Sequence, residues 1–198
     1  MNNNHQSYGS PILALKRGLS LVETQWSVFS PSCDPFRGIK SLIPEVHFVP
    51  TASRGVFLAH DMQTPSIVFV PNRQLPSVLD GLAQFKGVQI SPLILIIEDH
   101  PFIAPHIHPR QLLCDAGLTA IEPCNAMELE FMGLAAGRLA SATKKPIVLI
   151  AHHGLLGSAA SVVESSNEET AFTRLHRETS DPIRLSRRLE LKIGRAHV

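Results

Sequence analysis

Leu93-Ile94-Leu95-Ile96-Ile97-Glu98-Asp99-His100-Pro101 is the stretch on which the reading of the fold turns. Five apolar residues follow one another without polar alternation and end in a charged, proline-stopped segment. That pattern is expected of a strand in a parallel sheet whose two faces are both covered by helices. Ile147-Val148-Leu149-Ile150, preceded by Pro146, repeats it. Four further short runs rich in β-branched or aromatic residues, at 26–29, 46–49, 67–70 and 119–121, bring the expected strands to six. Helical spacing lies between them, at 53–62, 75–85, 109–116 and 125–143, and a first helix is expected at 11–23, with Pro11 in a first turn that tolerates it. Strands and helices in turn, with doubly apolar strands, predict an α/β fold: a doubly wound, mostly parallel six-stranded sheet with helices on both faces. An antiparallel sandwich fits poorly.

Composition narrows the class. The chain has 198 residues, 44% hydrophobic and 18% charged, with 18 Lys+Arg against 17 Asp+Glu. That length suits about one domain, and the charge balance gives no electrostatic footprint for nucleic acid. The longest apolar runs fall far short of the ~20 residues of a membrane span. Cys33, Cys114 and Cys124 are odd in number and lack C-x-x-C spacing, so no disulfide framework or thiolate zinc site is expected and a reducing cytoplasmic setting is.

The ends read differently from the middle. Residues 1–9 are polar and are expected to be a loose terminus rather than a secretory signal. Residues 10–163 carry the α/β pattern. From 164 to 192 acids and bases mix with few apolar residues, as in a solvated tail or linker. Residues 193–198, IGRAHV, resemble the translation of a sequencing adapter and are set aside from the fold.

In a doubly wound sheet, ligands bind beyond the carboxyl ends of the strands, so the strand-end loops are the candidate site. The first is Ser30-Pro31-Ser32-Cys33-Asp34-Pro35, whose small polar residues leave backbone amides accessible, with Asp34 as a possible helix cap. The second, Pro50-Thr51-Ala52-Ser53-Arg54-Gly55, offers Thr51 or Ser53 as caps. In the third, Pro71-Asn72-Arg73-Gln74, Asn72 reads first as a turn residue. The fourth is the densest in polar groups: Glu98, Asp99, His100, His106 and His108, with His152 and His153 ending the sixth strand. Imidazole and carboxylate together suit a transition metal, and a small metal-dependent hydrolase built on Asp99, His100, His106 and His108 is one reading. Against it, no complete ligand motif is present and adjacent histidines on a strand face opposite ways, so no metal ligands are assigned. The sequence also lacks G-x-G-x-x-G, a P-loop and a G-x-S-x-G elbow.

The order of the pieces carries a resemblance. A helix opening Gly9-Ser10-Pro11-Ile12-Leu13-Ala14-Leu15-Lys16-Arg17-Gly18 precedes the Ser-Pro-Ser-Cys-Asp-Pro loop. Then come Leu93 to Pro101, Gly117-Leu118-Thr119-Ala120-Ile121-Glu122-Pro123, a long helix and Lys145-Pro146-Ile147-Val148-Leu149-Ile150. Over about 150 residues this resembles the pyrimidine-binding domain of thiamine-diphosphate-dependent enzymes, nearest to the alpha subunit or N-terminal domain of indolepyruvate-type 2-oxoacid:ferredoxin oxidoreductases. The resemblance implies a domain or subunit of a 2-oxoacid oxidoreductase or decarboxylase that supplies the aminopyrimidine side of a thiamine diphosphate site. It implies Mg²⁺ and diphosphate held by a second domain or subunit, a 2-oxoacid substrate, and an oligomer. Ser32, Cys33, Ser53, Arg54 and Asn72 are the residues it places toward the cofactor.

Two departures matter. The family has a glutamate at the end of the second strand or the start of its helix, which hydrogen-bonds the aminopyrimidine. Here the stretch reads Thr51-Ala52-Ser53-Arg54. A guanidinium cannot accept a hydrogen bond, and Asp61 lies about two helical turns further on. The G-D-G motif for the diphosphate is also missing, Asp80-Gly81 reading instead as a helical pair. A degenerate domain serving assembly or regulation is therefore the second reading.

Overall fold

The computed structural model describes residues 7–9, 11–22, 24–32, 36–85, 88, 90–100, 106–157 and 160–162. In chain order the elements are β1 (Ser7–Gly9), α1 (Pro11–Ser20), β2 (Ser27–Pro31), a 3₁₀ segment (Phe36–Ser41), β3 (His47–Val49), α2 (Ala52–Met62) and β4 (Ser66–Pro71). A 3₁₀ turn (Asn72–Gln74) leads into α3 (Leu75–Ala83). There follow β5 (Leu93–Asp99), α4 (Pro109–Asp115), β6 (Thr119–Ile121), α5 (Ala126–Thr143), β7 (Ile147–His152), α6 (His153–Gly157) and β8 (Ala160–Val162). The six expected strands and five expected helices are all present. The first helix stops at Ser20 instead of 23, because the Ser20 hydroxyl donates to the Arg17 carbonyl at 2.7 Å and Leu21 turns into solvent. Part of the expected loose terminus is ordered as strand: Ser7–Gly9 pairs antiparallel with Ala160–Val162 in a separate two-stranded sheet. The rest of residues 1–9, and residues 163–198, lie outside the described residues.

The main sheet has the order β3-β2-β4-β5-β7-β6, and every neighbouring pair is parallel. Strand alternation sends successive side chains to opposite faces. Ile94, Ile96, Ile147, Leu149, Ile67 and Phe69 meet α1, the first 3₁₀ segment, α5 and α6 on one face. Leu93, Leu95, Ile97, Val148, Ile150, Val68 and Val70 meet α2, α3 and α4 on the other. Ile94 through Ile97 are wholly buried, which explains the unbroken apolar run.

Local chemistry sets the helix starts. The Thr51 hydroxyl accepts from the Arg54 amide at 3.3 Å, capping α2, and the Gln74 side-chain oxygen accepts from the Ala52 amide at 2.7 Å. At α5 the Asn125 side chain accepts from the Glu128 amide at 2.9 Å, while Glu128 accepts from the Cys124 amide at 2.8 Å. These reciprocal bonds satisfy amides that the helix itself leaves unpaired. None of the described helices is long and apolar enough to cross a membrane.

Helices α1 and α5 pack closely because glycine lines their contact. A Cβ at Gly18 would lie 1.9 Å from the Glu130 carbonyl oxygen, a backbone atom, and one at Gly133 would lie 2.9 Å from Leu15 Cδ1. Gly to Ala inside a helix ordinarily gains up to about 1 kcal/mol of propensity, whereas overpacking costs about 1–3 kcal/mol. Packing wins here, since a carbonyl cannot rotate aside as a side chain can. Gly18→Ala is therefore expected to lower the urea unfolding midpoint, with a net loss on the order of 1–2 kcal/mol. An unchanged or raised midpoint would show that the two helices do not approach this closely.

Candidate functional site

The topology creates two places where neighbouring strands send the chain to opposite faces. β2 exits to the 3₁₀ segment on the α1/α5 face, while β4, beside it, exits to α3 on the other. β5 leads on to α4 on the α2/α3 face, while β7, beside it, exits to α6 on the α1/α5 face. Such divergence opens a crevice beyond the carboxyl ends of the strands, where α/β sheets bind ligands. The two crevices adjoin, because Pro71 at the end of β4 is paired with Glu98, and Glu98 in turn with Ala151 of β7.

Glu98 is in phase with Ile94 and Ile96, so its carboxylate faces the α1/α5/α6 layer, and the residue is only 2% exposed. The Nδ1–H of His153, the first residue of α6, donates to Glu98 Oε1 at 2.6 Å. The His100 ring lies against His153 with centroids 4.0 Å apart. One potential ligand atom from each of Glu98, His100 and His153 lies within 4.8 Å of the others. His153 is half-exposed, so the cluster opens toward solvent while its carboxylate is buried. His152 behaves differently: its Nδ1 accepts from the Gly154 amide at 3.1 Å.

One position further along β5, alternation turns Asp99 to the opposite face. There Arg110 of α4 donates to Asp99 Oδ2 at 2.9 Å through Nη1 and makes a two-pronged contact with Glu122, which follows β6. Hydrogen bonding to Glu122 is the largest influence on Arg110 and binds its proton more firmly, burial opposes it, and Asp99 adds to the gain. Two carboxylates from two strand ends thus share one guanidinium, whose planar fork suits them.

This geometry sorts the polar residues of the fourth loop by place. Of Asp99, His100, His106 and His108, only His100 joins the cluster; Asp99 is engaged by Arg110, and His106 and His108 are exposed ahead of α4. Glu98 and His153 take the other places. The signal for Glu98 was its phase with Ile94 and Ile96, which marks a buried carboxylate at a strand end. The signal for His153 is tertiary, since 55 residues separate it from Glu98.

The residues placed toward a cofactor are spread along the rim. Ser32 is exposed after β2, and Cys33, like Asp34, lies outside the described residues. Ser53 shares a 3.0 Å hydroxyl contact with the cap Thr51, and Arg54 is exposed on the first turn of α2. Both stand at β3, an edge strand, two strands away from Asn72 at the end of β4. Asn72 is 2% exposed, and among the described residues neither its side-chain oxygen nor its nitrogen has a hydrogen-bond partner. A buried amide left unpaired costs about 1–3 kcal/mol, which makes it an uncommon feature that calls for an explanation. Asp80 is exposed and Gly81 packs toward the Phe57 ring, as a helical pair would.

A cavity of about 830 Å³, lined by Leu15, Leu19, Trp26, Val28, Ile67 and Phe69 among others, lies at the opposite, N-terminal end of the strands. It is large and apolar but holds none of the Glu98, His100 and Asn72 group, so the chemistry favours the C-terminal rim over the larger void.

The Arg110 bridge yields a direct expectation. Asp99 is 13% exposed and Glu122 44%, so the pair lies between a buried bridge and a surface one. Arg110→Met is expected to cost about 1–2 kcal/mol by urea unfolding at low ionic strength, with the difference shrinking in 1 M salt. Equal stability of the two proteins at low salt would show that the bridge contributes nothing.

No protein-family model and no curated protein matches the chain. Among solved structures it is similar to a 2-oxoglutarate:ferredoxin oxidoreductase from Magnetococcus marinus with 2-oxoglutarate, coenzyme A and succinyl-CoA bound. The TM-score is 0.50 at 11% identity, over 76% of this chain and 30% of that one. The chain therefore spans under a third of that protein, and what the two share is the fold.

Proposed function

We propose that this chain is a pyrimidine-binding-type domain of a thiamine-diphosphate-dependent 2-oxoacid oxidoreductase assembly, and that it forms half of a site completed by a diphosphate-binding subunit or domain. The observation that carries this reading is the all-parallel six-stranded sheet, with its rim crevices, similar in fold to part of a 2-oxoglutarate:ferredoxin oxidoreductase. The Asn72 amide, unpaired among the described residues, adds to it, since a heterocyclic ring entering the β2/β4 crevice offers both a donor and an acceptor for this side chain.

The fit to the cofactor is partial. Thiamine diphosphate, when bound in such enzymes, acts as the electron sink for a 2-oxoacid carbanion. The acid–base half of that chemistry needs an acceptor for the aminopyrimidine, and the α2 N-terminus does not fit this need. Thr51 and Ser53 are engaged with each other, Thr51 also caps the helix, and Arg54 is a cation. Asp61, the first acid of α2, stands near its other end. The chain thus holds the place of the pyrimidine side without supplying the acceptor at this position, and no catalytic step is assigned to it. This supports the second reading too, a domain kept for assembly or regulation.

Calorimetric titration separates the possibilities. Thiamine diphosphate with Mg²⁺ is expected to bind the isolated chain weakly, and at least about 10-fold more tightly once a G-D-G-bearing subunit is added, because the diphosphate contacts come from there. Asn72→Leu is expected to weaken that binding, and Arg54→Glu to strengthen it and bring measurable 2-oxoacid turnover. No heat in either arrangement would remove the cofactor from the account. Binding without turnover in Arg54→Glu would leave the assembly role.

A further inference from the structure

We infer that Glu98, His100 and His153 form a binding site for a divalent transition-metal ion of the zinc class, at the crevice between β5 and β7. The inference is independent of the cofactor reading, since it uses none of the residues placed toward thiamine diphosphate.

Three observations carry it. The donor set is two imidazoles and one carboxylate, which is the three-ligand set of open zinc sites, with a fourth position left for water or a ligand. The donor atoms lie within 4.8 Å of one another, and come from the ends of two paired strands, so the sheet itself sets their spacing. The Glu98 carboxyl group is 2% exposed, and among the described residues its side-chain partner is His153, so an oxygen donor is buried where an ion could be held.

His153 Nδ1 and Glu98 Oε1 lie 2.6 Å apart, closer than two ligands of one ion stand. Ligands 2.0–2.2 Å from a tetrahedral ion lie about 3.3–3.6 Å apart. The pair must therefore part by roughly 1 Å, which half-exposed His153 can supply by rotating its side chain while Glu98 stays held in β5. Neighbouring donors do not compete: Asp99 points to the other face and is tied to Arg110, and His152 is turned back on Gly154.

The test is Zn²⁺ titration of the full chain against a chromophoric chelator, with Co²⁺ as a spectroscopic probe. One equivalent of Zn²⁺ is expected to bind saturably, and Co²⁺ to give visible ligand-field bands. Removing an outer partner of a metal site already costs about 10–100-fold in affinity, so His153→Ala and His100→Ala, which remove ligands, are expected to lose more than about 100-fold. Glu98→Gln is expected to lose as much, and because Glu98 is buried its folding is checked by circular dichroism. His152→Ala is expected to bind as the wild type does. Zn²⁺ should also raise the Tm of the wild type and leave that of His153→Ala unmoved. Absence of saturable binding would overturn the site, as would unchanged affinity in His100→Ala and His153→Ala, or a loss in His152→Ala equal to that in His153→Ala. Any of these results would mean that His153 serves only as the hydrogen-bond partner of a buried carboxylate.

Discussion

The central constraint is that β4, β5 and β7 are covered on both faces. A strand so placed has no side that reaches water, so every residue between Leu93 and Ile97 is apolar and buried. Polar chemistry is thereby pushed to the strand ends, where the helical layers part. Glu98 is the first residue of β5 at which this happens, and it is still buried, so it requires a partner from another strand end. His153 supplies one. The rim is thus where this fold permits a carboxylate, two imidazoles and an orphan amide to gather.

The rim divides its charges by face. Alternation along β5 sends Glu98 toward α6 and Asp99 toward α4, so two adjacent carboxylates acquire different partners. The Asp99–Arg110–Glu122 bridge sets two acids on one base that holds its proton firmly, and it ties α4 and the end of β6 to β5. The Glu98–His100–His153 group opens toward solvent, with a half-exposed imidazole beside a buried carboxyl group. At the neighbouring end of β4, Asn72 is buried with both ends of its amide unpaired among the described residues.

Arg54 sets the limit on what the fold resemblance implies. A shared parallel sheet carries over the position of the crevices, because strand order decides where the chain diverges. It does not carry over the side chains at their edges. At the start of α2 the residues that remain are used for capping, a local role they would have in any α/β protein, and the charge is of the opposite sign to the one expected.

Much of the architecture was legible in the sequence because burial on two faces leaves an unmistakable apolar run, and because proline, threonine and asparagine mark the element boundaries. The helix from Asn125 onward and the strands at 93–97 and 147–150 are local consequences of such patterns. The ordering of Ser7–Gly9 was not legible, since its partner, Ala160–Val162, lies at the other end of the domain and pairing is not written in composition. For the same reason the sequence named a dense histidine loop without showing which of its members meet, as proximity along the chain is a poor guide to proximity at a strand end. The sequence alone determined which residues must be inside, and so the class of fold. Only the tertiary structure decided which polar residues meet, because strand register, in pairing Glu98 with Ala151 two residues before His153, brings together groups 55 residues apart.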